Sequence, residues 1–140
     1  MEMQHGVTAE KNQIVIVIPT YNEKDNIVSL IEAILLQQNS LPQCKLSVLI
    51  IDDMSPDGTG EIVEKLSQTN TAIHILHGKK QGLGMAYKKG FSYALSRLHA
   101  DIVFEMDADF SHDPNDIPRF IAEILENNAD FVIGSRYTFG

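Results

Sequence analysis

The sequence predicts an open α/β domain: a mostly parallel sheet with helices on both faces. Three observations carry this. Short β-branched runs alternate with helical patterns along the chain, as in repeated strand–helix units. The runs are near-continuously apolar rather than alternating, which parallel strands covered on both faces require. A chain of 140 residues, 44% hydrophobic, supports one core and is too short for two.

Taken in order, residues 1–12 are polar and read as a flexible N-terminus ahead of a domain over 13–140. They lack the apolar stretch of a signal peptide. The first strand is expected over 13–18, stopped by Pro19 of "PTYNE". There Tyr21 offers a flat ring, Asn22 reads as the cap of the next helix with Asp25 as its capping-box partner, and Glu23 as a first-turn acid. Ile27, Leu30, Ile31, Ile34 and Leu35 then follow the spacing of a helix buried on one side.

A second strand over 46–52 ends in "IIDDMSPDGTG". Ser55-Pro56-Asp57-Gly58 is turn chemistry, and Asp57 or Thr59 caps a short helix marked by Ile62, Val63 and Leu66. Asp52 and Asp53 belong to that turn, or accept hydrogen bonds from a nucleoside as acids at a second strand end can. Both readings are open at this point.

A third strand over 72–77 leads into "GKKQGLGMAYKKGF". Gly82-x-Gly84 lacks a third glycine and follows the wrong strand, so the dinucleotide fingerprint fails, and the P-loop pattern is absent. Leu83, Tyr87, Phe91, Ala94, Leu95 and Leu98 mark the apolar side of a helix, with Lys88 and Lys89 facing solvent. Lys79 and Lys80, in the loop, are placed to approach an anion.

The fourth strand, over 101–107, runs into "MDADFSHDP". In an extended segment, side chains at i and i+2 share a side, so Asp107 and Asp109 converge beyond the sheet. Such a pair suits a hard cation, Mg²⁺ or Mn²⁺, that bridges to phosphates. The competing reading is a turn that stops a strand. Asp113 before Pro114 is an N-cap with proline at the first helical position, and Ile117, Phe120, Ile121, Ile124 and Leu125 continue the helix. His112 either orients the acidic pair or packs at the helix start. A fifth strand over 130–134 leads into "GSRY", where the planar fork of Arg136 suits a diphosphate.

Composition narrows the partners. With 19 acids against 11 bases the net charge is −8, which excludes a general electrostatic grip on nucleic acid. Cys44 is the only cysteine, so there is no internal disulfide and no cysteine zinc site, and a reducing, cytoplasmic setting is expected. No apolar run approaches the ~20 residues of a membrane span.

In order and spacing, "PTYNE", "IDDMSPDGT", "GLGMAYKKGF", "MDADFSHDP" and "GSRY" resemble glycosyltransferase family 2, with its dolichol- and polyprenol-phosphate mannosyltransferases. The resemblance implies a GT-A fold, mannose transfer with inversion from GDP-mannose to a dolichyl or polyprenyl phosphate, and Mg²⁺ or Mn²⁺. It implies that Pro19, Tyr21 and Glu23 contact the nucleoside and that Ile51 and Asp53 line the base pocket. Asp107, Ala108 and Asp109 would hold the metal and diphosphate, with Ser111 beside them, and Arg136 would meet the diphosphate–sugar end. It places the protein in the cytoplasm, acting at the cytosolic face of a membrane. That membrane is the plasma membrane in a bacterium and the endoplasmic reticulum in a eukaryote.

Two departures stand out. Met54 replaces the glycine often found after the paired aspartates. The chain also stops at Gly140, where the family continues into an acceptor-binding half that often carries membrane-anchoring helices. On that basis the expectation is a domain truncated after its fifth strand, its membrane contact left to a partner or the missing segment. Other outcomes are a different family 2 transferase, such as one moving glucose, or donor binding without turnover. An aspartate-based phosphatase using D-x-D-x-S would place its motif after the first strand.

Overall fold

The computed structural model describes residues 10–134. Its elements run β1 (Asn12–Thr20), α1 (Ile27–Leu36), β2 (Cys44–Asp52), α2 (Thr59–Thr69), β3 (Ile73–His77), α3 (Leu83–Ser96), β4 (Ile102–Glu105) and α4 (Ile117–Leu125). The four strands form one sheet in the order β3-β2-β1-β4. All pairings are parallel, with Ile14 opposite both Leu46 and Ile102.

Apolar runs become a two-faced core because neighbouring residues of a strand point to opposite sides. Ile14, Ile16 and Ile18 of β1 join Val48 and Ile50 of β2 under α1, α2 and α4. Val15 and Val17 join Leu49 and Ile51 under α3. The helices thus lie on both faces, as the sequence predicts.

Three expectations need correction. Pro19 does not stop β1, which continues to Thr20 with Pro19 opposite Ile51. Gln13 and Val17 turn their carbonyls toward the β4 side, accepting from Asp101 and Met106, whereas Thr20 accepts from Asp53 on the β2 side. By this alternation the missing N–H of Pro19 faces the β4 side, beyond the last ladder pair, Val17–Glu105. No ladder bond is lost there, the condition under which a sheet tolerates proline.

Asn22 does not cap α1. The residue before that helix is Asn26, and no side chain caps it. Asn22 has φ 54 in the left-handed region, which asparagine adopts more readily than most residues. The carbonyl of Glu23 instead accepts from the backbone of Asn26 and Ile27.

Residues 130–134 form no strand. Phe131 and Ile133 are 79% and 75% exposed, and among the described residues no strand pairs with the segment. A β-branched run without a partner for its N–H and C=O groups gains nothing from extension.

Candidate active site

The order β3-β2-β1-β4 reverses direction between β1 and β4, and clefts in open α/β sheets form outside such a point. Because all four strands are parallel, the loops that leave them lie at this edge, and hydrogen bonds join the loops after β1, β2 and β3.

Behind β2, the paired aspartates divide their work. Asp52 is buried at 2% exposure and accepts from the hydroxyls of Thr20 (2.8 Å) and Ser55 (2.6 Å) and from the Ser55 N–H (3.1 Å). It builds the turn. Asp57 accepts from the N–H of Thr59, the first residue of α2, while the Thr59 hydroxyl accepts from the Glu23 N–H (3.0 Å). The helix-start role therefore falls to Asp57, and Thr59 ties the β1 loop to α2. Hydrogen bonds from Thr59 hold the Asp57 carboxyl below the usual carboxylate range.

Asp53 is the freer of the two. Its Oδ1 accepts from the Lys80 N–H at 2.5 Å, and the Gly78 N–H donates to the Asp52 carbonyl at 2.7 Å. A methyl on Gly78 would lie 2.7 Å from Asp53 Oδ1, so only glycine lets the β3–α3 loop approach this closely. The Lys80 ammonium lies 5.9 Å from the centroid of the Tyr21 ring, within cation–π range. Ile51 and Asp53 line an open cleft of about 400 Å³ with Gly78, Lys79, Met85 and Lys89. Two residues expected around a base thus face one cavity. Met85 and Lys89, on α3, were legible only as helix positions.

Behind β4 the geometry differs from the extended arrangement expected of the sequence. The strand ends at Glu105, and Asp107, Ala108 and Asp109 lie past it, Ala108 and Asp109 in a turn. The turn closes at Phe110, whose φ of 61 lies in the left-handed region. Ala108 is 5% exposed and anchors the turn in the core. Asp109 is exposed and accepts from the Ser111 N–H (2.9 Å). Hydrogen bonding to Ser111, with a smaller contribution from His112, lowers its pKa from the ordinary value. The Asp107 N–H donates to His112 Nδ1 (3.2 Å), so His112 holds the backbone at the start of the turn. Asp107 itself is half-buried and accepts at Oδ1 from the Tyr87 hydroxyl of α3 (3.2 Å). Burial, and then the Asp107 charge, push the Tyr87 phenol well above its usual pKa, so it remains a donor. Asp113 caps the turn Pro114–Asp116, accepting from the Asn115 N–H, as expected.

The donor set fits a hard cation: carboxylate oxygens, one pair exposed on Asp109 and one half-buried on Asp107. No cluster of three or more His, Cys, Asp or Glu that could hold a metal occurs among the described residues. Mg²⁺ and Mn²⁺ accept such a site when phosphate oxygens and water complete it. Of the other expected residues, Glu23 is half-buried, with Oε2 accepting from Asn26 (3.1 Å), and Pro19 lies in β1. Arg136 lies outside the described residues. No helix among them is long and apolar enough to cross a membrane.

Comparison with known proteins identifies the fold and the family. Over 127 residues the chain is 39% identical to the polyprenol monophosphomannose synthase of Mycolicibacterium smegmatis, covering 89% of this chain and 45% of that protein. It is 37% identical over 128 residues to the dolichol-phosphate mannosyltransferase of Pyrococcus furiosus, covering 91% and 34% respectively. The chain thus spans less than half the length of these relatives. A mannosyltransferase from Pyrobaculum calidifontis, solved in complex with GDP-Man and Mn²⁺, superposes with a TM-score of 0.63 at 20% identity, over 84% of this chain and 33% of that one. A glucosyl-3-phosphoglycerate synthase from Mycobacterium tuberculosis, solved with Mn²⁺, UDP and glucosyl-3-phosphoglycerate, gives 0.58 at 23% identity, over 81% and 40%. These likenesses establish the GT-A fold. The family profile for glycosyl transferase family 2 matches residues 15–140, and the chain belongs to that family.

Proposed function

We propose that this chain binds GDP-mannose with Mg²⁺ or Mn²⁺ and serves its transfer, with inversion, to a polyprenyl or dolichyl phosphate. The observation that carries the reading is the turn after β4. There an exposed carboxylate with a lowered pKa and a half-buried, hydrogen-bonded one share the sheet edge with the cleft at Asp53. Relatives named for mannose transfer to polyprenol and dolichol phosphates support the sugar and the acceptor. The neighbour holding GDP-Man and Mn²⁺ supports the donor and metal.

In this reading residues 13–140 form the nucleotide-sugar-binding part. Ile51 and Asp53 receive the base, and Tyr21, with Pro19 and Glu23, borders the nucleoside. Asp107, Ala108 and Asp109 present the metal and diphosphate, and Arg136 meets the diphosphate–sugar end. A divalent cation would supply charge neutralisation for the departing diphosphate. The chain's own task is to hold the donor and exclude misaligned poses. A phosphate acceptor is already anionic near neutral pH, so no general base is required of these residues. The reaction would take place at the cytosolic face of a membrane, with anchoring supplied by a partner or a further segment.

The test is calorimetric titration of GDP-mannose and UDP-glucose, each with Mn²⁺, Mg²⁺ or EDTA. Metal-dependent preference for GDP-mannose is expected. Preference for UDP-glucose would favour a glucosyl donor, as the UDP-bound neighbour allows. Binding without turnover on a short polyprenyl phosphate would define a donor-binding unit.

A further inference from the structure

Tyr87 reads in the sequence as one apolar position among several on α3. Its ring does pack that way, edge to face against Phe91 with centroids 6.2 Å apart and planes at 61°. Phenylalanine would satisfy that contact. The hydroxyl goes elsewhere, to Asp107 Oδ1 at 3.2 Å. In the same stretch of α3, Met85, Ala86, Lys88 and Lys89 line the cleft that also holds Ile51 and Asp53. One helix therefore touches both the cleft and the acidic turn. Its seat is tight: a methyl on Gly90 would lie 2.5 Å from Val17 Cγ1, so α3 is fixed against the centre of the sheet.

We propose that Tyr87 is a positioning residue for metal-dependent donor binding, its hydroxyl fixing the Asp107 carboxylate and so tying the acidic turn to the helix that lines the nucleoside cleft. A carboxylate free to rotate must be ordered when it takes up a cation, and that ordering opposes binding. Held through Oδ1 by a donor on a packed ring, Asp107 is ordered beforehand and keeps Oδ2 for a ligand. Partners that orient metal ligands commonly act this way. The inference rests on the donor-site reading above.

Tyr87→Phe tests it by removing one oxygen and keeping the ring. Mn²⁺ binding in the presence of GDP is read from the electron paramagnetic resonance of free Mn²⁺, and GDP binding by calorimetry with Mn²⁺ and with EDTA. The substitution should weaken Mn²⁺ binding about tenfold. It should leave residual GDP affinity in EDTA, and the thermal midpoint, close to those of the parent. In an Asp107→Asn background it should add no further loss, as two members of one interaction require. Tyr87→Leu, which also removes the ring, should lower the thermal midpoint without weakening Mn²⁺ further than Phe does. Parental Mn²⁺ affinity in Tyr87→Phe, additive loss with Asp107→Asn, or a loss seen only in the Leu variant would overturn the proposal and leave the donor site standing. Absence of any Mn²⁺ dependence in the parent chain would overturn the donor-site reading and this proposal with it.

Discussion

Met54 and the aspartates around it show how much one position can decide. Met54 has φ 61 and is 58% exposed, so an L side chain occupies the left-handed region with little packing to offset the strain. The strain is about 1–2 kcal/mol, against about 0.5–1 kcal/mol of extra chain entropy for glycine. Met54→Gly should therefore raise the thermal midpoint by a few degrees. A lower midpoint would mean that the methionine side chain contributes packing. Asp52→Ala should do the reverse, leaving the buried Thr20 and Ser55 donors without their acceptor and costing about 2–4 kcal/mol in chemical denaturation. Asp109→Asn belongs to a third class. Its side chain is exposed, so stability should hold while Mn²⁺-dependent GDP affinity falls about tenfold or more. A large stability loss with binding intact would return Asp109 to a structural role.

At the scale of elements, α3 depends on the close approach of a single glycine. It crosses the face opposite α1, α2 and α4, and Gly90 sets its distance from β1. Gly90→Ala should push it off Val17 and Ile51 and cost about 1–3 kcal/mol, read by urea unfolding. Because Ile51 also lines the cleft, donor affinity should fall together with stability. Unchanged stability would show that α3 shifts without resistance. The loop ahead of α3 was legible as glycine- and lysine-rich, but not its bond to Asp53, which joins residues 27 positions apart in sequence. The expected strand over 130–134 failed for a related reason. β-propensity describes a residue's fit to a sheet, while strand formation also needs a neighbour to pair with.

Across the whole molecule, the site is a product of topology. Asp53 and Asp107 are far apart in sequence, yet parallel strands leave their carboxyl ends along one edge, where the end of β2, the β3–α3 loop and α3 line the cleft. With a net charge of −8 and an acidic turn at that edge, a diphosphate without a cation should be repelled. EDTA should thus abolish most GDP binding, and Mn²⁺ or Mg²⁺ should restore it. Equal affinity with and without chelator would sink the metal reading.

The sequence by itself determined the alternation of strands and helices, the parallel sheet, and the acidic loops at the strand ends. Apolar periodicity and turn residues are local and survive without knowledge of the fold. The family resemblance also marked Met54 as a departure in its turn, and its φ of 61 bears out the question of backbone angle. Only the tertiary structure decided that Asp52 builds the turn while Asp53 faces the cleft, for adjacent side chains of a strand point to opposite sides. It alone decided that Asp107 and Asp109 lie beyond the strand, Asp109 on a turn. The side-chain partner of Asp107 is Tyr87, twenty residues away on a helix that packs beside it only once the sheet has assembled.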